Sequence, residues 1–572
     1  MRRHIGRFSA ALLLAIVPAV LGTLAALLYT DSGTLLLGRI ASQELTARFR
    51  GSVEIGRISG SFLGGVELTD VRIRDSSNAP FADVKRIAVG YVLPTLLAGQ
   101  VVFTSAELDD PVVRIVKRKN RRLNYQEIFH LGEGPGGGRS PLVEVRNLRI
   151  RRGQLEVRLP WSPPDTAHTA AAAAAALAAE RSRPGRTILE TPDGLRRVIL
   201  LADLTARLPL LRISTPDRKP LSFDIDSLAT RISDPAITVV DLAAHGWTHD
   251  DSLGFTLHRA ALPDSRFSGA GVITWPHGPV LYDFALDASR LNLDDLHWIS
   301  PDFPAMVGSA NVTAKWRTEQ QTAYRLQRLA LQGEAGQISG AVTALVDNHR
   351  GLGVEGMALD LTELDLDVPR PYLDTLPLHG TLTGRLGGAG FKDGIDLDAS
   401  LVFRDREMPG MAETRLQAAG HMILGGPLGT IFDSLQLIES DIDLRTVQHL
   451  APAVALRGRL GLTGWLSGPW RNVSFTGTVR HRDDSLPESQ ATGVATLDTR
   501  QDTVAFDAAM RMEPLVFDGV RPSYPGIPIR GAVTGPVTIR GTIDRFALDA
   551  ALEGDLGALA IRGTIAQQPG RL

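Results

Sequence analysis

The sequence predicts a mostly β protein: an elongated, coiled antiparallel β-sheet that follows one N-terminal transmembrane helix. Three observations carry this expectation. An uncharged run near the N-terminus is long enough to cross a bilayer, the remainder alternates with a period of two, and a short glycine-bounded unit recurs along the C-terminal half.

Arg2, Arg3, His4 and Arg7 precede an uncharged run from Phe8 to Tyr29. A membrane helix needs about 20 such residues, and Pro18 and Gly22 are tolerated within one. The anchoring side chains are Phe8, Leu12, Leu13, Leu14, Ile16, Val17, Val20, Leu21, Leu24, Leu27, Leu28 and Tyr29. The nearest small-x-small cleavage pattern, Thr23-Leu-Ala25, lies inside the run, which favours an uncleaved anchor over a signal peptide. By the positive-inside rule the arginines stay cytoplasmic and the chain beyond Asp31 is exported. The absence of cysteine excludes disulfides, thiol catalysis and thiolate metal sites. With 61 basic against 63 acidic residues there is no basic excess to favour nucleic acid.

Beyond Val53 the alternation is plain. Ile395, Leu397, Ala399, Leu401 and Phe403 are interleaved with Asp396, Asp398, Ser400, Val402 and Arg404. Val473, Phe475, Gly477 and Val479 repeat the pattern, as do Phe546, Leu548, Ala550 and Leu552, and, upstream, Val280, Tyr282, Phe284, Leu286 and Ala288. One face of each strand is therefore apolar and the other wet. Turn residues return about every ten positions, the spacing of a meander. The candidate lining residues are Ile395, Leu397, Leu401, Phe403, Val473, Phe475, Val479, Phe546, Leu548 and Leu552. On the residues alone, such faces either line an open groove or pack against each other in a closed sandwich or solenoid core.

Leu378-His-Gly-Thr-Leu-Thr-Gly384, Leu456-Arg-Gly-Arg-Leu-Gly-Leu-Thr-Gly464 and Ile529-Arg-Gly-Ala-Val-Thr-Gly535 are alike, with a weaker copy at Gly308–Ala314. Their threonines, Thr313, Thr383, Thr463 and Thr534, are spaced by roughly 70 to 80 residues, a mark of repeat architecture. The chain accordingly divides into an anchor (1–30), an N-terminal β module (31–132), an elongated β region (133–300) and repeated units (301–572), the last of them incomplete. Gly38–Phe49 suits a short amphipathic helix, Pro94–Gly99 one helical turn, and Glu133–Gly138 a flexible linker. The insertion 160–193 holds Pro163-Pro164 and the alanine run Ala170–Ala176. Alanine favours helix, yet no apolar stripe gives it a face to pack, so a surface loop with a frayed helix is expected.

Few residues suggest chemistry. Gly351-Leu-Gly-Val-Glu-Gly356 matches a dinucleotide fingerprint in letters, but strand-like sequence follows it, so it reads as a turn. His245, His249, Asp250 and His258 lack the helical period that would converge them on a metal. Asp109-Asp110, Asp250-Asp251 and Asp294-Asp295 fall at turns. The basic run Lys117–Arg122 is either a solvated hairpin tip or a contact for anionic lipid headgroups. No catalytic residue, cofactor or metal is expected, and the chain is not read as an enzyme.

The most specific text lies in Gly60-Ser-Phe-Leu-Gly-Gly65, Val66-Glu-Leu-Thr-Asp-Val-Arg-Ile-Arg-Asp75, Val84–Val89, Pro94-Thr-Leu-Leu-Ala-Gly99, Leu108-Asp-Asp-Pro-Val-Val-Arg-Ile115 and Arg122-Leu-Asn-Tyr125. This order resembles the N-terminal region of the AsmA/TamB family of bacterial envelope proteins, and the resemblance extends loosely over the glycine-spaced repeats. It implies a single-pass inner-membrane protein with a periplasmic body and an open β groove. That groove would guide phospholipid and support outer-membrane biogenesis. Implied partners are phospholipid, the inner membrane and an outer-membrane barrel of the BamA/TamA type. TamB-type members are usually longer and end in a domain that meets that machinery. This chain instead stops at Gln567-Gln-Pro-Gly-Arg-Leu572, soon after Ile561–Ile565 begins a strand, which puts the barrel partner in doubt. The alternative expectation is a closed β-solenoid scaffold that carries no lipid.

Overall fold

The alternating segments form strands nearly throughout, and the chain is mostly β with antiparallel pairing dominant. The computed structural model describes residues 51–566, apart from 62–64, 93, 96–99, 118–122, 125–127, 129–141, 164–166, 184, 215–220, 276–279, 369–377, 409, 411, 427–428, 451–453, 485, 501–502, 543 and 555–556. The anchor side chains from Phe8 to Tyr29, the Gly38–Phe49 segment, the Glu133–Gly138 linker and most of the basic run at Lys117–Arg122 lie outside the described residues. Among the described residues no helix is long and apolar enough to cross a membrane. Two compact units emerge: residues up to Pro301 with Val312–Glu319, and Asp302–Asn311 with the chain from Gln320.

In the first unit, Gly51–Glu54 and Arg57–Ser61 pair with Gly65–Asp75, which pairs in turn with Pro80–Tyr91. Val101–Asp109 and Val112–Val116 then pair with Val143–Pro160 in parallel, with Phe103 opposite Val145 and Ile115 opposite Val157. This corrects the purely antiparallel expectation. The chain between Val116 and Val143 is long enough for the crossover that parallel neighbours require, and periodicity alone does not report strand direction. Val143–Pro160 continues antiparallel to Gly194–Ser214. Inward residues of these strands fill a closed core in which Phe81, Phe103, Leu108, Leu148, Leu208 and Leu211 are fully buried.

The insertion is better ordered than its composition suggests. Ala170–Arg181 is a helix capped by Thr169, whose hydroxyl accepts the Ala172 N–H at 3.1 Å. Its end is tied down by buried Glu180, which pairs with Arg183 and Arg186. Arg186 also reaches Asp234 at 2.7 Å, and Asp234 holds Arg197 as well. Charged partners distant in sequence supply the docking that an apolar stripe would otherwise provide.

The second unit is an antiparallel meander from Gln321–Gly333 to Gly557–Ala566. Most turns are tight, but every fourth connection is long: 366–379, 444–458 and 517–531. The recurring glycine unit opens the strand after each of them, Gly380–Phe391, Arg459–Pro469 and Ala532–Thr542. The sequence repeat is thus a four-strand unit with one capping connection. Gly384 and Gly535 occupy equivalent places, at φ +137° and +143°, where a Cβ would lie 2.1 Å from the carbonyl oxygens of Ser400 and Ala551. Only glycine fits there.

Gly384→Ala is expected to lose about 2 kcal/mol or more. Gly563 faces the same side of the sheet, and a methyl group added there would meet nothing within 4 Å, so Gly563→Ala should stay within about 0.5 kcal/mol. Thermal unfolding of the two variants reads the contrast, and equal losses would mean the crease is not what demands glycine.

Candidate functional site: an apolar face through the repeats

Residues directly opposite in a ladder point to the same side of a sheet. One row of opposed residues runs Leu386, Ala399, Ala418, Leu437, Gly464, Gly477, Gly493, Met510, Val537, Ala550, Ile561. The next row runs Gly388, Leu397, Gly420, Leu435, Leu466, Phe475, Ala495, Ala508, Ile539, Leu548, Gly563. Neither row contains a polar side chain. Upstream, Leu329 stands opposite Gly340 and Gly340 opposite Leu359, which extends the first row. The opposite side is charged and solvated: Arg385 meets Asp360 at 3.3 Å, Arg540 meets Asp507 at 2.6 Å, and Arg562 meets Asp549 at 2.7 Å.

All ten candidate residues stand on this apolar face. Ile395 and Leu552 are buried, whereas Leu397, Leu401, Phe403, Val473, Phe475, Val479, Phe546 and Leu548 are only half-buried. The reason is geometric. Among the described residues of this unit, the substantial contacts between elements join neighbouring strands, apart from the helix Leu444–Leu450 against the strand before it. Among the described residues no second sheet covers the face, although Phe517, Ile527 and Ile529 of the connection 517–531 pack onto its end at Val533, Val537, Ala550 and Leu552. Its buried clusters are correspondingly small, such as Ala418 with Leu435 and Leu437, or Val533 and Val537 with Ala550 and Leu552.

Glycines shape the floor between the large side chains. Phe506 and Phe546 each stand opposite Gly541, and their rings meet above it with centroids 5.7 Å apart. Register shifts at Leu361/Leu364 and Leu437/Ser440 add bends, as bulges do. Alternation breaks at those shifts, and Leu435 and Leu437 were not among the sequence candidates although the rows contain them.

The capping side carries ion pairs. His449 lies 3.3 Å from fully buried Asp405 and 2.8 Å from Glu407, and Arg459 lies 2.8 Å from Asp441. Burial opposes ionisation of Asp443, but hydrogen bonds from the Arg445 side chain (2.7 Å) and backbone N–H (3.0 Å) outweigh it, so the carboxyl titrates below its usual range.

The remaining sequence candidates are accounted for structurally. Gly351–Gly356 is not a turn but the start of the strand Gly351–Asp365, with the turn just before it. The His245 ring nitrogen lies 2.6 Å from Asp224, and His249 pairs with adjacent Asp250. No group of three or more His, Cys, Asp or Glu among the described residues could hold a metal. Asp109 pairs with Arg86, and the Arg152 guanidinium beside Asp110 holds its carboxyl below the usual range. Asp294 and Asp295 sit in a 3-10 turn and line a cavity of about 650 Å³ with Arg186, Asp234, Leu262 and Trp298. Asp295 is engaged there by the Asp264 N–H. No family model, curated protein or solved structure matches the chain.

A depressed carboxyl stabilises the fold above its unfolded value of about 3.9, and that contribution is lost as pH falls through the lower folded value. Asp443→Asn should therefore flatten the acid side of the melting-temperature profile, between about pH 5 and pH 2. An unchanged slope would show that Asp443 contributes nothing to acid lability.

Proposed function

We propose that this is an inner-membrane-anchored periplasmic protein of the AsmA/TamB type that guides phospholipid along the apolar face of its repeats and supports outer-membrane biogenesis. One observation carries the reading: two rows of opposed residues run from strand to strand through the repeats without a polar side chain, and most of the large apolar groups beside them are only half-buried. Moving an acyl chain from water onto such a face is worth about 0.8 kcal/mol per methylene buried. Passive binding of this kind requires no catalytic residue. Phospholipid and the inner membrane are its proposed partners. The filled core of the first unit favours a second reading there, that of a closed β scaffold that carries no lipid.

The full chain, extracted in detergent from bacterial membranes and examined by native mass spectrometry, should carry phospholipid. Leu401→Lys, which charges the middle of the face, should reduce that lipid severalfold, while Ser400→Lys on the solvated side should not. Lipid-free protein, or equal lipid in both variants, would overturn the groove and leave the scaffold reading.

A further inference from the structure

The cavity of about 650 Å³ beside the 3-10 turn Leu293–Leu296 lies wholly within the first unit and takes no part in the lipid reading. Its volume is that of a small-molecule pocket. Two of its walls are charged, and they differ in how far that charge is already satisfied. On one wall stand Arg183, Arg186 and Asp234. Arg186 is held between Glu180 and Asp234, Arg183 lies 3.1 Å from Glu180, and Asp234 also holds Arg197. This wall is paired within itself and offers little to an outside ion. The other wall carries Asp294, Asp295 and Trp298. The half-exposed Asp294 carboxylate has one ion-pair partner among the described residues, His297, at 3.7 Å, which is beyond hydrogen-bond reach. Asp295 accepts the Asp264 N–H at 3.0 Å through one oxygen, and among the described residues neither aspartate has an arginine or lysine within ion-pair distance. Arg266, which follows the adjoining loop, is taken up by the carbonyl oxygens of Leu262 and Ser265. Trp298 lines the cavity yet keeps 43 % of its surface exposed, and Leu262 and Pro263 extend its apolar surface.

We infer that this cavity is a binding site for a small organic cation, a primary ammonium on an aliphatic body. The ammonium takes the carboxylates of Asp294 and Asp295, and the carbon body rests on Trp298, Leu262 and Pro263. An ammonium brings three donors to carboxylates that still have acceptor capacity, and an indole face attracts a cation in its own right. An anion would meet two aspartates on the open wall and arginines already paired on the other. A bare metal ion is a poor fit, because among the described residues no group of three His, Cys, Asp or Glu could hold one. The inference stands apart from the groove reading and does not depend on it.

Full-length protein in detergent is titrated calorimetrically at neutral pH with pentylamine, 1-pentanol and pentanoate, each against a detergent blank. Pentylamine should bind once per chain, and the alcohol and the carboxylate at least about tenfold more weakly, the scale of one lost hydrogen bond to a charged group. Asp294→Asn and Asp295→Asn should each weaken pentylamine by about the same factor. Asparagine at 295 can still accept the Asp264 N–H, so the turn survives the change. Trp298→Ala should weaken it severalfold. Arg183→Gln, on the paired wall, and Asp283→Asn, an exposed residue outside the cavity lining, should leave it as it was. The comparison of the three probes needs no variant: pentylamine binding no tighter than pentanol would overturn the inference. So would native affinity for pentylamine in both aspartate variants.

Discussion

The second unit depends on cross-strand register. In an antiparallel ladder the side-chain period is two, so a slip of one residue sends every apolar side chain to the wet face. Here leucine, alanine, glycine and phenylalanine stay opposite one another from strand to strand through four-strand repeats, and the charged residues are kept to the other side. Register shifts occur both across tight turns, as between Glu413–Gly426 and Gly429–Asp443, and across the long connections, yet the two apolar rows persist through them. Glycines such as Gly384 and Gly535 then let the backbone crease where a side chain would strike the neighbouring strand. The face is a property of the whole ladder, and no single residue creates it.

The chain uses the same alternation to two different ends. In the first unit, parallel and antiparallel neighbours bring inward side chains together, and large groups such as Phe81 and Phe103 lose all contact with solvent. In the second unit equivalent inward positions, Leu401 or Phe475, are half-buried because neighbouring strands are their main cover. Half-burial leaves apolar area in water at a cost of about 25 cal/mol for each Å² left exposed. That exposed apolar surface is what the groove proposal builds on.

Much of this was legible in the sequence where the ladder is regular. Ile395 to Leu401 alternates without interruption, and that strand pairs on both sides without a register shift. The recurring glycine unit likewise announced a repeat, though not that four strands make one. Other features were hidden for physical reasons. Bulges at Leu361/Leu364 and Leu437/Ser440 break the period, so neighbouring leucines lost their alternation signal. Parallel pairing of Val101–Asp109 with Val143–Pro160 depends on chain direction, to which hydropathy is blind. The helix Ala170–Arg181 is fixed by Asp234 and its arginines, partners that no local pattern names. The openness of the face is a tertiary fact, because a strand's sequence reads alike under a second layer or under lipid.

The central claim, that lipid lies on the apolar side of the repeats, is tested most directly by a photocrosslinking scan in living cells along the strand Gly394–Asp405. A photoreactive amino acid is placed singly at each position from Ile395 to Arg404, and crosslinked phospholipid is measured. The predicted result is a period of two: crosslinks at 395, 397, 399, 401 and 403, and background at 396, 398, 400, 402 and 404. Uniform background along the whole strand, or signal without that period, would contradict the account.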